Sequence, residues 1–279
     1  MRNLHLEAIK AVFKARYKIY IRYPGWAILN IMFPLFLTVI PLLLAFGVTG
    51  SIETTNLIFK RYANTEDFVF YVLLGSTVWS LSTMIIWDFG MWLYEEMEIG
   101  TLEQLFLAPI HTLELLFGSI LYTLVISLTN TIGGILIASL LLGYIHIILN
   151  VRFLLALAVI LLGFIPLLGM SLFFGALVLK IKEPWAFFNF LTALLVYISG
   201  VFYPLAVLPP SIRAIAILFP ATLQIADARA IMLDIEYVFS PEIDLLLLLA
   251  YTIIWPLFGL GMFEKIKYEA RKRGSIGAY

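Results

Sequence analysis

Four carboxylates crowd one short stretch of an otherwise sparsely charged sequence. Glu95, Glu96, Glu98 and Glu103 fall within residues 94–111, YEEMEIGTLEQLFLAPIH. Acids so placed can ligate a metal, cap helix ends or present charge to a partner. A metal site would have to use Glu95, Glu96, Glu98 and His111, and carboxylates with one distant histidine make a poor ligand set. The three histidines, His5, His111 and His146, are dispersed. No Ser/His pair or convergent acid pair offers catalysis. Cysteine is absent, which removes thiolate chemistry and disulfides. No GxxxxGK(S/T) phosphate loop occurs. The expected catalytic and metal-ligating residues are therefore none.

The same stretch has the grammar of a short, displayed helix. Gly100 can end the preceding helix. Thr101-Leu102-Glu103-Gln104 matches a capping box, with Thr101 as N-cap and Gln104 reaching back. Ile99, Leu102, Leu105 and Phe106 form an apolar set, and Pro109 stops the helix. Capping alone leaves Leu102, Leu105 and Phe106 unexplained, so the stretch reads as a feature that a soluble partner grips.

Elements must hold this loop in place, and composition says what they are. Hydrophobic residues make up 62% of the 279-residue chain and charged residues 13%, against roughly 25% charged in a soluble domain. Mean hydropathy is +1.01. These values exclude a soluble enzyme, a disordered chain and a nucleic-acid binder, and indicate an all-α polytopic membrane protein. Uncharged runs place six spans near 24–48, 67–92, 113–143, 152–180, 184–204 and 242–263. The third and fourth, separated by the turn from Gly143 to Arg152, are expected to form a tight hairpin. Residues 49–66 read as a short outer loop.

The region 205–240 is apolar but broken. Pro204, Pro209, Pro210 and Pro220 punctuate it, and Arg213, Asp227, Arg229, Asp234 and Glu236 interrupt it. Two short helices near 210–218 and 221–233, meeting at Pro220, fit a re-entrant or interfacial pair covered by protein. Lys and Arg number six before residue 24, five after 263 and two in the 180–183 loop, against five on the other side. The excess places both termini in the cytoplasm, consistent with six spans. No cleavable signal peptide or internal repeat is expected.

At about 100° per residue, Leu6, Ile9, Phe13, Tyr17 and Tyr20 share one face of an N-terminal helix. Lys10, Lys14, Lys18 and Arg22 recur every four residues on another, and Arg16 breaks the pattern. This is an interfacial amphipathic helix whose basic stripe faces headgroups or a partner, or serves as a topology anchor.

Polar residues within spans mark pathways or helix contacts. Span one offers Asn30 and Thr38, span two Ser76, Ser80 and Thr83 beside Thr77 and Trp79, and span five Asn189, Thr192 and Ser199. In span three, Thr123, Ser127, Asn130 and Thr131 lie beside Gly133 and Gly134, as in helix packing. Asp88, near the cytoplasmic end of span two, reads as structural. Tyr197, Phe202 and Tyr203, near the outer end of span five, could guide a substrate or form an interfacial belt. Asp227 and Arg229 are expected to satisfy each other or cap helices.

The sequence resembles the membrane-spanning permease subunit of type-2 ATP-binding-cassette exporters across essentially its whole length. The resemblance rests on the basic start ending Arg22-Tyr23-Pro24, on Glu96…Gly100-Thr101-Leu102-Glu103…Pro109, and on Gly200-Val201-Phe202-Tyr203-Pro204…Leu208-Pro209…Pro220…Arg229. It implies a single transmembrane permease domain over 1–279. Within it lie an interface helix over 2–23 (Lys10, Phe13, Lys14, Lys18 and Arg22) and a cytoplasmic coupling helix over 94–110. That coupling helix would seat in an ATPase through Glu96, Gly100, Thr101, Leu102, Glu103, Leu105 and Phe106. Outer-leaflet helices would occupy 204–236, and a basic cytoplasmic tail 264–279. Asn30, Thr38, Ser76, Trp79, Ser80, Asn189, Thr192, Tyr197 and Phe202 become substrate-path candidates. Tyr203, Pro204 and Arg229 become outer-gate candidates. Implied partners are a soluble ATPase subunit carrying ATP and magnesium, a second permease copy in a homodimer, and the lipids of the plasma membrane. No cofactor is implied on this chain. The implied function is ATP-driven export of an amphipathic, drug-like or lipid-linked substrate. The rival is a secondary transporter or channel, which would need an intramembrane ionisable site.

Overall fold

The uncharged runs fold as helices in a computed structural model, which describes residues 6–101, 104, 112–145, 150–178, 180, 181 and 183–273. The helices are α1 (Leu6–Arg22), α2 (Pro24–Thr49), α3 (Ile52–Ala63), α4 (Phe68–Glu98), α5 (Thr112–Leu142), α6 (Val151–Leu162), α7 (Phe164–Val178), α8 (Pro184–Ile198), α9 (Pro210–Ile217), α10 (Pro220–Leu233) and α11 (Pro241–Arg273). No strand occurs among the described residues. The all-α polytopic class therefore holds.

Five stretches are long and apolar enough to cross a membrane: α2, α4, Glu114–Leu142 of α5, α6 with α7, and Pro241–Glu269 of α11. The fifth expected span is shorter than its uncharged run. Helix α8 has 15 residues, about 22 Å at 1.5 Å per residue. It stops because Gly200 takes a left-handed φ of 67° and Pro204 follows. Helices α9 and α10 begin at Pro210 and Pro220 and meet at a 97° bend. Counted together they would make a sixth stretch. Proline suits these starts because a first-turn N–H has no intrahelical partner anyway.

Two expectations change. Residues 52–63 are not loop but helix α3. Ser51 accepts a hydrogen bond from the Thr54 N–H at 3.1 Å, and Asn64 closes the helix with φ 54°. Glu53 at its start and Lys60 and Arg61 at its end suit the helix dipole. Those same charges break the hydropathy run that marks the other helices. The third and fourth spans also do not form a tight hairpin. Helix α5 packs chiefly on α1, α4 and α2, whereas α6 packs on α10. Tertiary partners outweigh the proximity in sequence that the turn suggested.

The core centres on α4. Twenty of its residues are buried, from Phe68 to Leu93, whereas α2 buries only Pro34 and Thr38. Helix α7 lies between α4 and α11. Small residues let it approach both: a Cβ on Gly175 would strike the Phe89 ring, and one on Gly169 would overlap the backbone of Trp255 and Pro256. Gly259 meets the Gly169 carbonyl in the same way. Helix α8 rests on α4 through Phe188, whose ring occupies the space over Gly90, and through a Trp87–Trp185 edge contact at 5.6 Å.

Gly169→Leu is expected to destabilise the protein by about 1–3 kcal/mol through overpacking, seen as a lower thermal unfolding midpoint in detergent. Gly261→Ala, where a Cβ within α11 meets nothing within 4 Å, should hold or slightly raise the midpoint.

Candidate functional site

Helix α4 carries Glu95, Glu96 and Glu98 in its last turn and ends in a Schellman motif inside the acidic stretch. Gly100 takes φ 72°, its N–H donates to the Met97 carbonyl at 3.1 Å, and the Thr101 N–H donates to the Glu96 carbonyl at 2.9 Å. This is the 6→1 and 5→2 pair that satisfies the last carbonyls of a helix, and Gly100 fills the role its position suggested. Glu96 ties the end together. Its carboxylate accepts from Trp92 Nε1 at 3.0 Å and from the Thr101 hydroxyl. Of the predicted coupling residues, Glu96, Gly100 and Thr101 are therefore part of a fixed stop. Leu102, Glu103, Leu105 and Phe106 lie outside the described residues. Gln104 is helical and exposed.

About three turns of helix behind this stop is a polar clasp. The Arg16 guanidinium of α1 donates through Nη2 to Asp88 Oδ1 of α4 at 2.9 Å, and through Nη1 to Ser119 Oγ of α5 at 2.9 Å. The Thr123 hydroxyl donates to the other carboxylate oxygen of Asp88. The guanidinium carbon lies 5.0 Å from the Trp92 ring centroid and 4.3 Å from that of Tyr122. The Arg16 and Asp88 side chains are 11% and 14% exposed, so water screens the pair little. One turn further, the Tyr20 hydroxyl donates to Asn130 Oδ1 of α5 at 2.8 Å. Burial raises the Tyr20 phenol above its ordinary pKa, so it remains a donor. Close approach is possible because Gly118 faces α1. A Cβ there would lie 2.7 Å from Val12 and 2.8 Å from the Ile9 carbonyl.

The clasp corrects the face assigned to α1. Leu6 and Tyr17 are exposed, and the side turned to the bundle carries Ile9, Val12, Arg16 and Tyr20. The residue that broke the pattern, Arg16, is the one that docks, because Asp88 would otherwise stand in an apolar span without a cation. Lys10, Lys14, Lys18 and Arg22 are exposed and Phe13 half-buried, stacked on Tyr17 at 5.8 Å. The signal that sequence reasoning passed over was a lone acid inside a span together with a lone arginine off its stripe.

The path candidates divide. Thr38, Ser76 and Trp79 are buried within the chain. Asn30, Ser80 and Thr192 are half-buried, and Asn189 and Tyr197 are exposed. The hydroxyls of Thr38 and Thr192 and the Asn189 amide bond to carbonyls of their own helices at 2.8 Å.

At the far end of α4, Arg229 of α10 does not pair with Asp227. Its Nε donates to the Tyr71 carbonyl at 3.0 Å, Nη1 to the Gly200 carbonyl at 2.7 Å and Nη2 to the Val201 carbonyl, with the Tyr71 ring 3.7 Å away. Gly75 makes the room, since a Cβ there would overlap the guanidinium and the Val201 carbonyl. Arg229 thereby holds the end of α8 onto α4. Tyr203 donates its hydroxyl to the Tyr197 carbonyl, Phe202 packs edge-on to Tyr197 at 6.5 Å, and Pro204 opens the 3₁₀ turn Leu205–Val207.

Asp88→Asn should leave the Arg16 cation uncompensated and cost on the order of 3 kcal/mol, read as a lower unfolding midpoint. Arg16→Met combined with Asp88→Leu should recover part of the loss. A wild-type midpoint for Asp88→Asn would mean that the pair contributes nothing to stability.

Residues 7–233, from the first turn of α1 to the last residue of α10, match the family model for the ABC-2 type transporter. No curated protein matches the sequence. The match takes in the α1 clasp, the acidic loop and the α9–α10 pair, so the chain belongs to the ABC-2 type transporter family and is a membrane-spanning permease component of type-2 ABC transporters.

Proposed function

We infer that the chain is the permease subunit of an ATP-driven exporter that moves an amphipathic, drug-like or lipid-linked substrate out of the cytoplasm. A separate soluble ATPase subunit binds ATP and magnesium and drives it. One observation carries this reading: the loop leaves α4 through a rigid stop, and about three helical turns behind that stop α4 is clasped to α1 and α5. A partner that moves the loop therefore moves three helices together.

In this mechanism the 94–110 segment seats in the ATPase through Glu103 and its apolar neighbours. The Arg16–Asp88 pair makes α1 follow α4, so the interface helix and the coupling loop respond as one body. Two copies of the chain meet through the thinly covered faces of α2 and α8, and Asn30, Asn189, Thr192 and Tyr197 lie along that seam. Thr38, Ser76 and Trp79 act from behind it by packing. Arg229, with Tyr203 and Pro204, holds the outer end. The bound substrate must interact differently with inward-open and outward-open forms, because only a differential affinity lets ATP bias the cycle. Helix α8 with its following turn forms the sixth crossing of a plasma-membrane protein, the α9–α10 pair is re-entrant, and both termini face the cytoplasm.

The chain reconstituted with its ATPase is expected to change the hydrolysis rate, and Leu102→Ala with Glu103→Ala to abolish the change while the permease remains folded. Failure to recruit or modulate any ATPase would favour a secondary carrier. Topology has its own check, since the chain lacks cysteine. Single cysteines at Lys14 and Lys272 should resist an impermeant maleimide in intact cells, and one at Glu66 should label. Labelling at Lys272 but not Lys14 would make the number of crossings odd.

A further inference from the structure

At the Arg229 end of the bundle, α3, α4, the α8 terminus, α9, α10 and the segment before α11 line a half-open cavity of about 520 Å³. Two arginines line it, Arg229 and Arg213, together with the hydroxyl residues Ser199 and Thr222. Arg229 is 2% exposed, Ser199 1% and Thr222 0%. Among the described residues, neither arginine has a carboxylate within ion-pair distance. Arg229 spends three N–H groups on carbonyls and keeps one more on each Nη atom. Arg213 makes one long contact, Nη2 to the Val238 carbonyl at 3.4 Å. The Ser199 and Thr222 hydroxyls have no hydrogen-bond partner. Of the acids, Glu236 lines the cavity and is exposed, and Asp244 lies behind the wall with its carboxylate taken up by the Val238 and Phe239 N–H groups at 2.9 and 3.4 Å.

Two cations, two unmet buried hydroxyls and one outlying carboxylate suit a ligand that is acceptor-rich and anionic. Phosphate meets both conditions, and arginine is the side chain whose donor fork matches it. The surroundings add an apolar requirement. Ile215 and Leu218, at and just beyond the end of α9, and Leu57 on α3 are exposed, on the two helices that give Arg213, Tyr62 and Ala63 to the cavity wall, as acyl chains would need. We propose that this cavity is a binding site for the headgroup of an anionic phospholipid. The phosphate is held by Arg213, Ser199 and Thr222 against the Arg229 charge, and the acyl chains lie along α9 and α3. The site stands apart from the transport reading, because occupancy is measured on the permease without an ATPase.

The test titrates the purified full chain with phosphatidylglycerol or phosphatidylcholine and counts retained lipid by native mass spectrometry. Phosphatidylglycerol is expected to bind about tenfold more tightly than phosphatidylcholine. Arg213→Gln, and separately Ser199→Ala with Thr222→Val, should each weaken it about tenfold, the scale of a charge-assisted hydrogen bond. Arg229 is left intact because it also pins α8. Equal retention of the two lipids, or wild-type retention in both variants, overturns the site. Inorganic phosphate displacing phosphatidylglycerol at equal concentration would overturn the lipid assignment in favour of a free anion.

Discussion

Burying α4 is the constraint on which the rest of the molecule depends. A helix with twenty buried residues offers its neighbours almost no surface that is not already spoken for, so α2, α5, α7, α8 and α10 must fit around it. Two arginines from other helices reach it, Arg16 from α1 at Asp88 and Arg229 from α10 at Tyr71. These points are 17 residues apart, about 25 Å along the axis, close to the two ends of the apolar stretch. The two anchors differ in kind. Arg16 meets a carboxylate and becomes half of an ion pair. Arg229 meets carbonyl oxygens and an aromatic face, so its charge is solvated but not cancelled.

That difference explains what each end can do. At the Arg16 end the charges close on one another and the surroundings are filled by Trp92, Tyr122 and Thr123, which favours mechanical linkage over ligand binding. At the Arg229 end a residual field opens into a cavity with idle hydroxyls.

The helices were legible where hydropathy was uninterrupted: α2, α4, α5, the α6–α7 stretch and α11 follow their uncharged runs within a few residues at most ends. The bend at Pro220 and the stop at Gly100 were also legible, because proline and left-handed glycine act locally. Helix α3 was not, since Glu53, Lys60 and Arg61 make twelve helical residues resemble a polar loop. The end of α8 was misplaced because residues 199–203 carry no charge, like the helix before them. The Arg16–Asp88 contact was invisible for a different reason: each residue carries a local signal, but nothing local names the partner 72 positions away. Arg229 shows the opposite error, in which the neighbouring Asp227 suggested a pair that α10 does not make.

The stop at Gly100 has a mechanical consequence. A glycine-rich or unbonded junction would be compliant, and a load on the acidic loop would be lost in bending it. Here the backbone bonds of the Schellman motif and the two contacts to the Glu96 carboxylate make the junction stiff. A load on the loop would reach α4 as rotation or translation of a rod, with the helices held to it at Asp88 and Tyr71 carried along. The compliance of the molecule must then reside in its least covered parts, α2 with Pro34 and Pro41 and the short α8. Those helices would be the ones to yield if such a rod turned.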